Sequence, residues 1–126
     1  MELLASYVVG SNGNNAVTLT TPRFTPDPGE LLVAKMGNED DDNPVCTGVS
    51  GGGLLWQRKV EYLPGTGNVS DAIIYTAQVG GSPEAMSVSS TWSGAQEGTG
   101  EHGMIVERWQ GAMVLTAPAS NARRMS

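Results

Sequence analysis

At 126 residues, with a formal net charge of −6, 17 glycines and a single phenylalanine, the chain is long enough for one self-sufficient core. The acidic balance argues against nucleic acid as a partner, because phosphate binding needs clustered lysine and arginine, and the adjacent basic pairs here are only Arg58-Lys59 and Arg123-Arg124. Cys46 is the sole cysteine, which excludes an internal disulfide and reads as a small buried hydrophobe. No run approaches transmembrane length and the first residues lack the regions of a signal peptide, so a soluble protein made in a cytoplasm, with no membrane partner, is expected.

In chain order, Leu4 to Val9 is an apolar run closed by Gly-Ser-Asn-Gly-Asn-Asn, a strand and a turn. From Ala16 to Thr21, Val17 and Leu19 alternate with Thr18 and Thr20, the period of a half-buried strand. Pro22, Pro26 and Pro28 interrupt pairing, and Phe24 between them is expected to plug an open end of the fold. Glu30 to Asn38 is a third strand, apolar on both faces at Leu31, Leu32 and Val33, which suggests a central position. Glu39 to Pro44 is an exposed acidic loop, and Val45 to Val49 a short strand.

From Gly51 to Val79, two runs rich in aromatic and β-branched residues flank a Pro-Gly-Thr-Gly-Asn cluster, the pattern of a β-hairpin. Trp56, Val60 and Tyr62 are expected on one face of its first strand, and Ile73, Tyr75, Ala77 and Val79 on one face of its second. This hairpin is the expected centre of the core, with Trp56, Tyr75, Val88 and Trp92 largely buried. Ala85 to Trp92 is two-faced, with Met86, Val88 and Trp92 opposing Ser87, Ser89 and Thr91. His102 to Gln110 makes a last strand, in which Met104 and Val106 oppose Ile105, Glu107 and Trp109. No segment carries a helical period with caps. About eight short strands predict an all-β antiparallel sandwich over residues 1–112, immunoglobulin-like or jelly-roll, followed by an extended C-terminal tail over 113–126.

Motifs with chemistry are sparse. Glu39 to Asp42 is a dense carboxylate cluster, but it lacks the ligand spacing of a calcium loop and reads as a solvated or partner-facing loop with no obligatory metal. His102 is the only histidine; a zinc site would need carboxylates for its other ligands, and no Gly-x-Ser-x-Gly elbow supports a triad. Gly51-Gly52-Gly53 and Gly94 to Gly100 lack the Lys-Ser/Thr ending of a phosphate loop. Trp56, Trp92 and Trp109 would form a sugar-stacking platform only if exposed together; packing is the expected role. No catalytic residue, metal or cofactor is expected, and the chain is not expected to be an enzyme.

Phe24-Thr25-Pro26, Gly29-Glu30-Leu31-Leu32-Val33, Gly52-Gly53-Leu54-Leu55-Trp56 and Ile74-Tyr75-Thr76-Ala77 occur in that order. Gly81-Ser82-Pro83, Met86-Ser87-Val88 and Trp109-Gln110-Gly111-Ala112 follow. Together they resemble β-sandwich modules in virion proteins of tailed bacteriophages, found in minor tail proteins, fibres and small head-decorating proteins. The resemblance spans roughly residues 16–112, and its motifs are structural. For a chain this short it implies a capsid decoration protein on the head exterior, made in the host cytoplasm, whose partner is the major capsid protein of the same phage. The alternative it implies is a tail or fibre module that binds host-surface carbohydrate. Decoration needs multivalent attachment, so a homo-oligomer is expected, a trimer at a local threefold position being favoured. The tail is the expected attachment arm, with Met113, Val114 and Leu115 as apolar anchor and Arg123 and Arg124 as added charge.

Overall fold

A computed structural model describes residues 1–10, 17–39, 45–62, 70–93 and 101–111. The described residues form β1 (Glu2–Gly10), β2 (Thr18–Thr20), β3 (Leu31–Glu39), β4 (Cys46–Ser50), β5 (Gln57–Tyr62), β6 (Ser70–Gln78), β7 (Ser89–Trp92) and β8 (Glu101–Gln110). There is no helix among them. One sheet has the order β1-β8-β3-β6-β5 and the other β2-β7-β4, with every neighbouring pair antiparallel.

The first strand thus pairs with the last, the second with the seventh and the third with the sixth. A long hairpin rolled into two facing sheets gives this nesting, which is the jelly-roll arrangement, and it separates two topologies that leave no local trace in a sequence. The roll departs from the full pattern at β5, which pairs with β6 in the larger sheet rather than with β4.

The axis of the core is β3. Its inward residues Leu32, Ala34 and Met36 are buried, and each is flanked on both sides. Leu32 opposes Ala77 and Arg108, Ala34 opposes Tyr75 and Val106, and Met36 opposes Ile73 and Met104. Leu19, Cys46, Val88 and Trp92 close the core from the other sheet and its connections. Fully burying each large aliphatic side chain of this set contributes about 1.5–3 kcal/mol, which is what holds two sheets face to face.

The hairpin expected at the centre forms, but it sits at the margin. β6 is interior and presents Ile73, Tyr75 and Ala77 to the core, with Val79 buried just beyond it. β5 is the outermost strand, and all six of its residues are exposed. A bulge between Arg58 and Val60 explains the difference. It reverses the alternation, so that Val60 and Tyr62 oppose Ile74 and Ala72 on the outer face. Trp56 lies before the bulge and turns inward, half-buried against the core rather than fully within it. The other expected core residues, Tyr75, Val88 and Trp92, are buried, and Cys46 with them.

Phe24 is held in the core by a backbone pair with Met86, each amide donating to the other's carbonyl at 2.8 Å. At Gly51 the φ of 149° and a backbone contact both demand glycine, because a Cβ there would lie 2.3 Å from the Ser87 carbonyl oxygen. The glycine run is a turn, with the Gly51 carbonyl accepting from Leu54 N and Trp56 Nε1.

Candidate docking surface

The two outer faces of the sandwich differ in chemistry. Across the three-stranded sheet the outward residues are Thr18, Thr20, Ser50, Ser89 and Thr91, stitched by contacts such as Thr20 Oγ1 to Ser89 Oγ at 2.8 Å. On the five-stranded sheet, register aligns a row Val8–Ile105–Lys35–Ile74–Val60 and, toward the other end, Leu3–Trp109–Leu31. Val8 is 76% exposed and Tyr62 60%, with Leu3, Val60 and Ile105 also open. Most of the exposed large hydrophobics among the described residues therefore share one face, and a face that gathers exposed apolar side chains is a candidate interaction surface. Between these two rows lies a mostly polar one, Ser6–Glu107–Val33–Thr76–Gln57, in which Glu107 pairs with Lys35 at 3.1 Å and its carboxylate also accepts from Trp109 Nε1. With Lys35 about half exposed, that pair contributes at most about 1 kcal/mol.

The expected attachment residues Met113, Val114, Leu115, Arg123 and Arg124 lie outside the described residues. The last described residue, Gly111, follows β8 and lies against Met1, where a Cβ would lie 3.6 Å from the Met1 backbone nitrogen. The acidic run from Asp40 to Asp42 also lies outside the described residues; Glu39 closes β3.

One polar cluster was not anticipated from the sequence. Glu30, with no solvent-exposed surface, receives Arg108 Nε at 3.1 Å and Nη2 at 2.8 Å in a two-pronged ion pair. Arg108 also donates to Tyr7 Oη and the Thr25 carbonyl, and its guanidinium lies 5.5 Å from the centre of the Phe24 ring. Tyr7 stacks on Phe24 with ring centres 4.8 Å apart. Hydrogen bonding to Glu30 pushes the Arg108 pKa further up. Every arm of the arginine is used to join β1, β8 and the loop before β3, so the cluster fastens the fold. The only sequence signal was a charged residue at an inward position of β8.

His102 is buried and packs beside Trp92 with ring centres 4.5 Å apart. A general base must reach a substrate proton directly or through one water, and this imidazole sits in the core. Trp92 is interior, Trp109 lies on the outer face of the larger sheet, and Trp56 is inward beside the glycine turn. The three indoles share no surface. No three His, Cys, Asp or Glu side chains among the described residues converge as metal ligands would. A depression of about 300 Å³ lies between Pro26, Leu54, Val79, Pro83 and Met86, with Glu84 as its only ionisable group.

Burial pushes the Cys46 thiol above its ordinary 9.0. Burial, and then the neighbouring Cys46, push the Tyr75 hydroxyl above its ordinary 10.0. Both groups hold their protons more tightly folded than unfolded, so as pH rises the unfolded chain loses them first. Their contribution is complete below about pH 8 and is lost progressively above about pH 9. Melting temperature followed from pH 8 to 10.5 should fall, and more gently in Cys46→Ala; identical slopes would mean that the thiol ionises as easily in the fold as outside it.

No family model, curated protein or solved structure matches this chain.

Proposed function

We propose that the chain is a structural virion protein of a tailed bacteriophage, a decoration protein bound to the outside of the head. The observation that supports it best is the division of the surface, with most of the exposed large hydrophobics of the described residues on the outer face of one sheet and a Ser/Thr face on the other. A protein that coats a shell needs one face for the shell and one for water. The jelly roll recurs in viral capsid proteins, which favours the reading by analogy alone. The partner is the major capsid protein, and binding has no catalytic step and uses no cofactor. The carbohydrate-binding alternative, on a tail or fibre, loses the stacking platform that three exposed indoles would have supplied.

Attachment in this reading combines that outer face with the segment 113–126. Deleting residues 113–126 should leave the melting temperature of the sandwich within a few degrees of the parent and weaken binding to undecorated heads at least about tenfold, about 1.4 kcal/mol. Co-sedimentation with heads measures it. Undiminished binding of the truncated chain would remove the arm from the interface.

A further inference from the structure

The outer face of the five-stranded sheet carries different chemistry at its two ends. At the end where β8 stops, register aligns the apolar row Leu3–Trp109–Leu31, with Leu3 45% exposed. At the far end Glu39 closes β3 and Glu101 opens β8, and register sets one directly opposite the other. Like charges opposite each other on neighbouring strands destabilise a sheet unless a counter-charge joins them. The sequence adds Asp40, Asp41 and Asp42 directly after Glu39. Lys35, the basic residue on this face, stands four positions back along β3 and is paired with Glu107. Beside the Glu39–Glu101 rung lies a row with almost no side-chain bulk, Gly10–Gly103–Gly37–Ala72. Among the described residues, a Cβ at Gly103 would meet only the Val9 carbonyl oxygen, at 3.5 Å, so packing does not demand glycine there. Glycine inside a strand often marks a place where another backbone approaches closely.

We infer that the chain's own segment 112–126 docks on this face in the free protein, turning back at Gly111 and setting Arg123 and Arg124 at the Glu39–Glu101 end. Three observations select this occupant. The first is where the segment starts. Gly111 follows β8 with a φ of 75°, a left-handed conformation that ends the strand and turns the chain. The second is length. Gly111 stands ten residues past Glu101, and Arg123 and Arg124 stand twelve and thirteen residues past Gly111. Run back extended, at about 3.3 Å per residue, the segment brings its arginine pair level with Glu101 and leaves two or three residues for the turn. The third is the order of its residues. Met113, Val114 and Leu115 come first, beside the Leu3–Trp109–Leu31 row, and the arginines come last, at the carboxylates. Thr116 to Ala122 carry no charge, so no basic residue is set over Lys35. Contact at two points, rather than along the whole segment, limits the ordering cost. Exposed ion pairs contribute little each, so a larger surface such as a shell can displace the segment. The inference concerns the chain before any partner is bound. It does not depend on the capsid reading and is tested on the purified protein alone.

The test puts a nitroxide spin label on Ser126→Cys in the full-length chain and reads paramagnetic broadening of the backbone amide signals. Cys46 is buried and stays unlabelled in the folded protein. The amides of Glu101 to Met104 and of Met36 to Glu39 should broaden most, although they lie at the opposite end of β8 from the root of the segment. Two charge variants should each abolish that broadening, Arg123→Glu with Arg124→Glu, and Glu39→Gln with Glu101→Gln. The glutamine pair also removes the opposed like charges, so its melting temperature should not fall. Trypsin should cleave after Arg123 at least about threefold faster in the glutamine pair than in the parent. Broadening that is strongest at Trp109 and Gln110 would overturn the inference, because a segment that merely trails from Gly111 acts most on its root. Broadening at the Glu101 end that survives both charge variants would overturn it too. So would broadening in a mixed sample whose label and observed amides are on different chains, which would assign the contact to a second copy.

Discussion

Arg108→Ala should destabilise the fold by about 3–5 kcal/mol, the largest effect expected of any charged residue here. The reason lies in what it leaves behind. Glu30 has no exposed surface, and the guanidinium supplies its two charged hydrogen bonds. Without Arg108 the carboxylate must stay buried without its counter-charge, take up a proton, or drag the start of β3 out to water. The same substitution removes the cation from the Phe24 ring and a donor from the Thr25 carbonyl. A loss of that size is a large share of the 5–15 kcal/mol that typically separates folded from unfolded states. Replacing both partners with apolar residues of similar shape, as in Glu30→Leu with Arg108→Met, should cost far less, because a buried ion pair stabilises little relative to good packing. Urea denaturation of both variants measures the asymmetry. If the double variant is as unstable as Arg108→Ala, the arginine's remaining contacts, not the stranded carboxylate, set the cost.

Trp92→Ala should cost about 3–5 kcal/mol, through a cavity rather than a charge. Trp92 is 4% exposed, packs on His102, and donates from Nε1 to Ser90 Oγ at 2.9 Å. Ser90 is itself buried, so truncation opens a large void and also strands a hydroxyl. Trp109→Ala, on the half-buried outer face, should cost clearly less. Denaturant midpoints of the two variants give the comparison. A near-neutral Trp92→Ala would put that indole at the surface and restore the stacking surface a sugar-binding module needs.

Much of the fold was legible because alternation is a local property. Ile73, Tyr75, Ala77 and Val79 fall on one face by spacing alone, as do Met86, Val88 and Trp92, and the doubly apolar start of β3 announces a strand flanked on both sides. Three features were hidden, for two different reasons. One extra residue near Lys59 reverses the faces of β5, and nothing in Gln-Arg-Lys-Val-Glu-Tyr distinguishes a bulged strand from a regular one. Glu30 and Arg108 are 78 positions apart, so their pairing depends on β3 lying beside β8, which is strand order and leaves no local mark. The docking face is hidden in the same way. Val8, Ile105, Ile74 and Val60 come from four strands and become one row only when the register is known.

The capsid reading meets its most direct test in a reconstitution. On that reading the chain is encoded by a phage, whose undecorated heads would be mixed with the purified protein and imaged by cryo-electron microscopy, with tails and host cell-wall glycan assayed for binding in parallel. The predicted result is saturable density at fixed positions on the outer surface of the head, with the five-stranded sheet turned toward the shell. Bare heads at saturating protein, with binding to tails or to glycan instead, would contradict it.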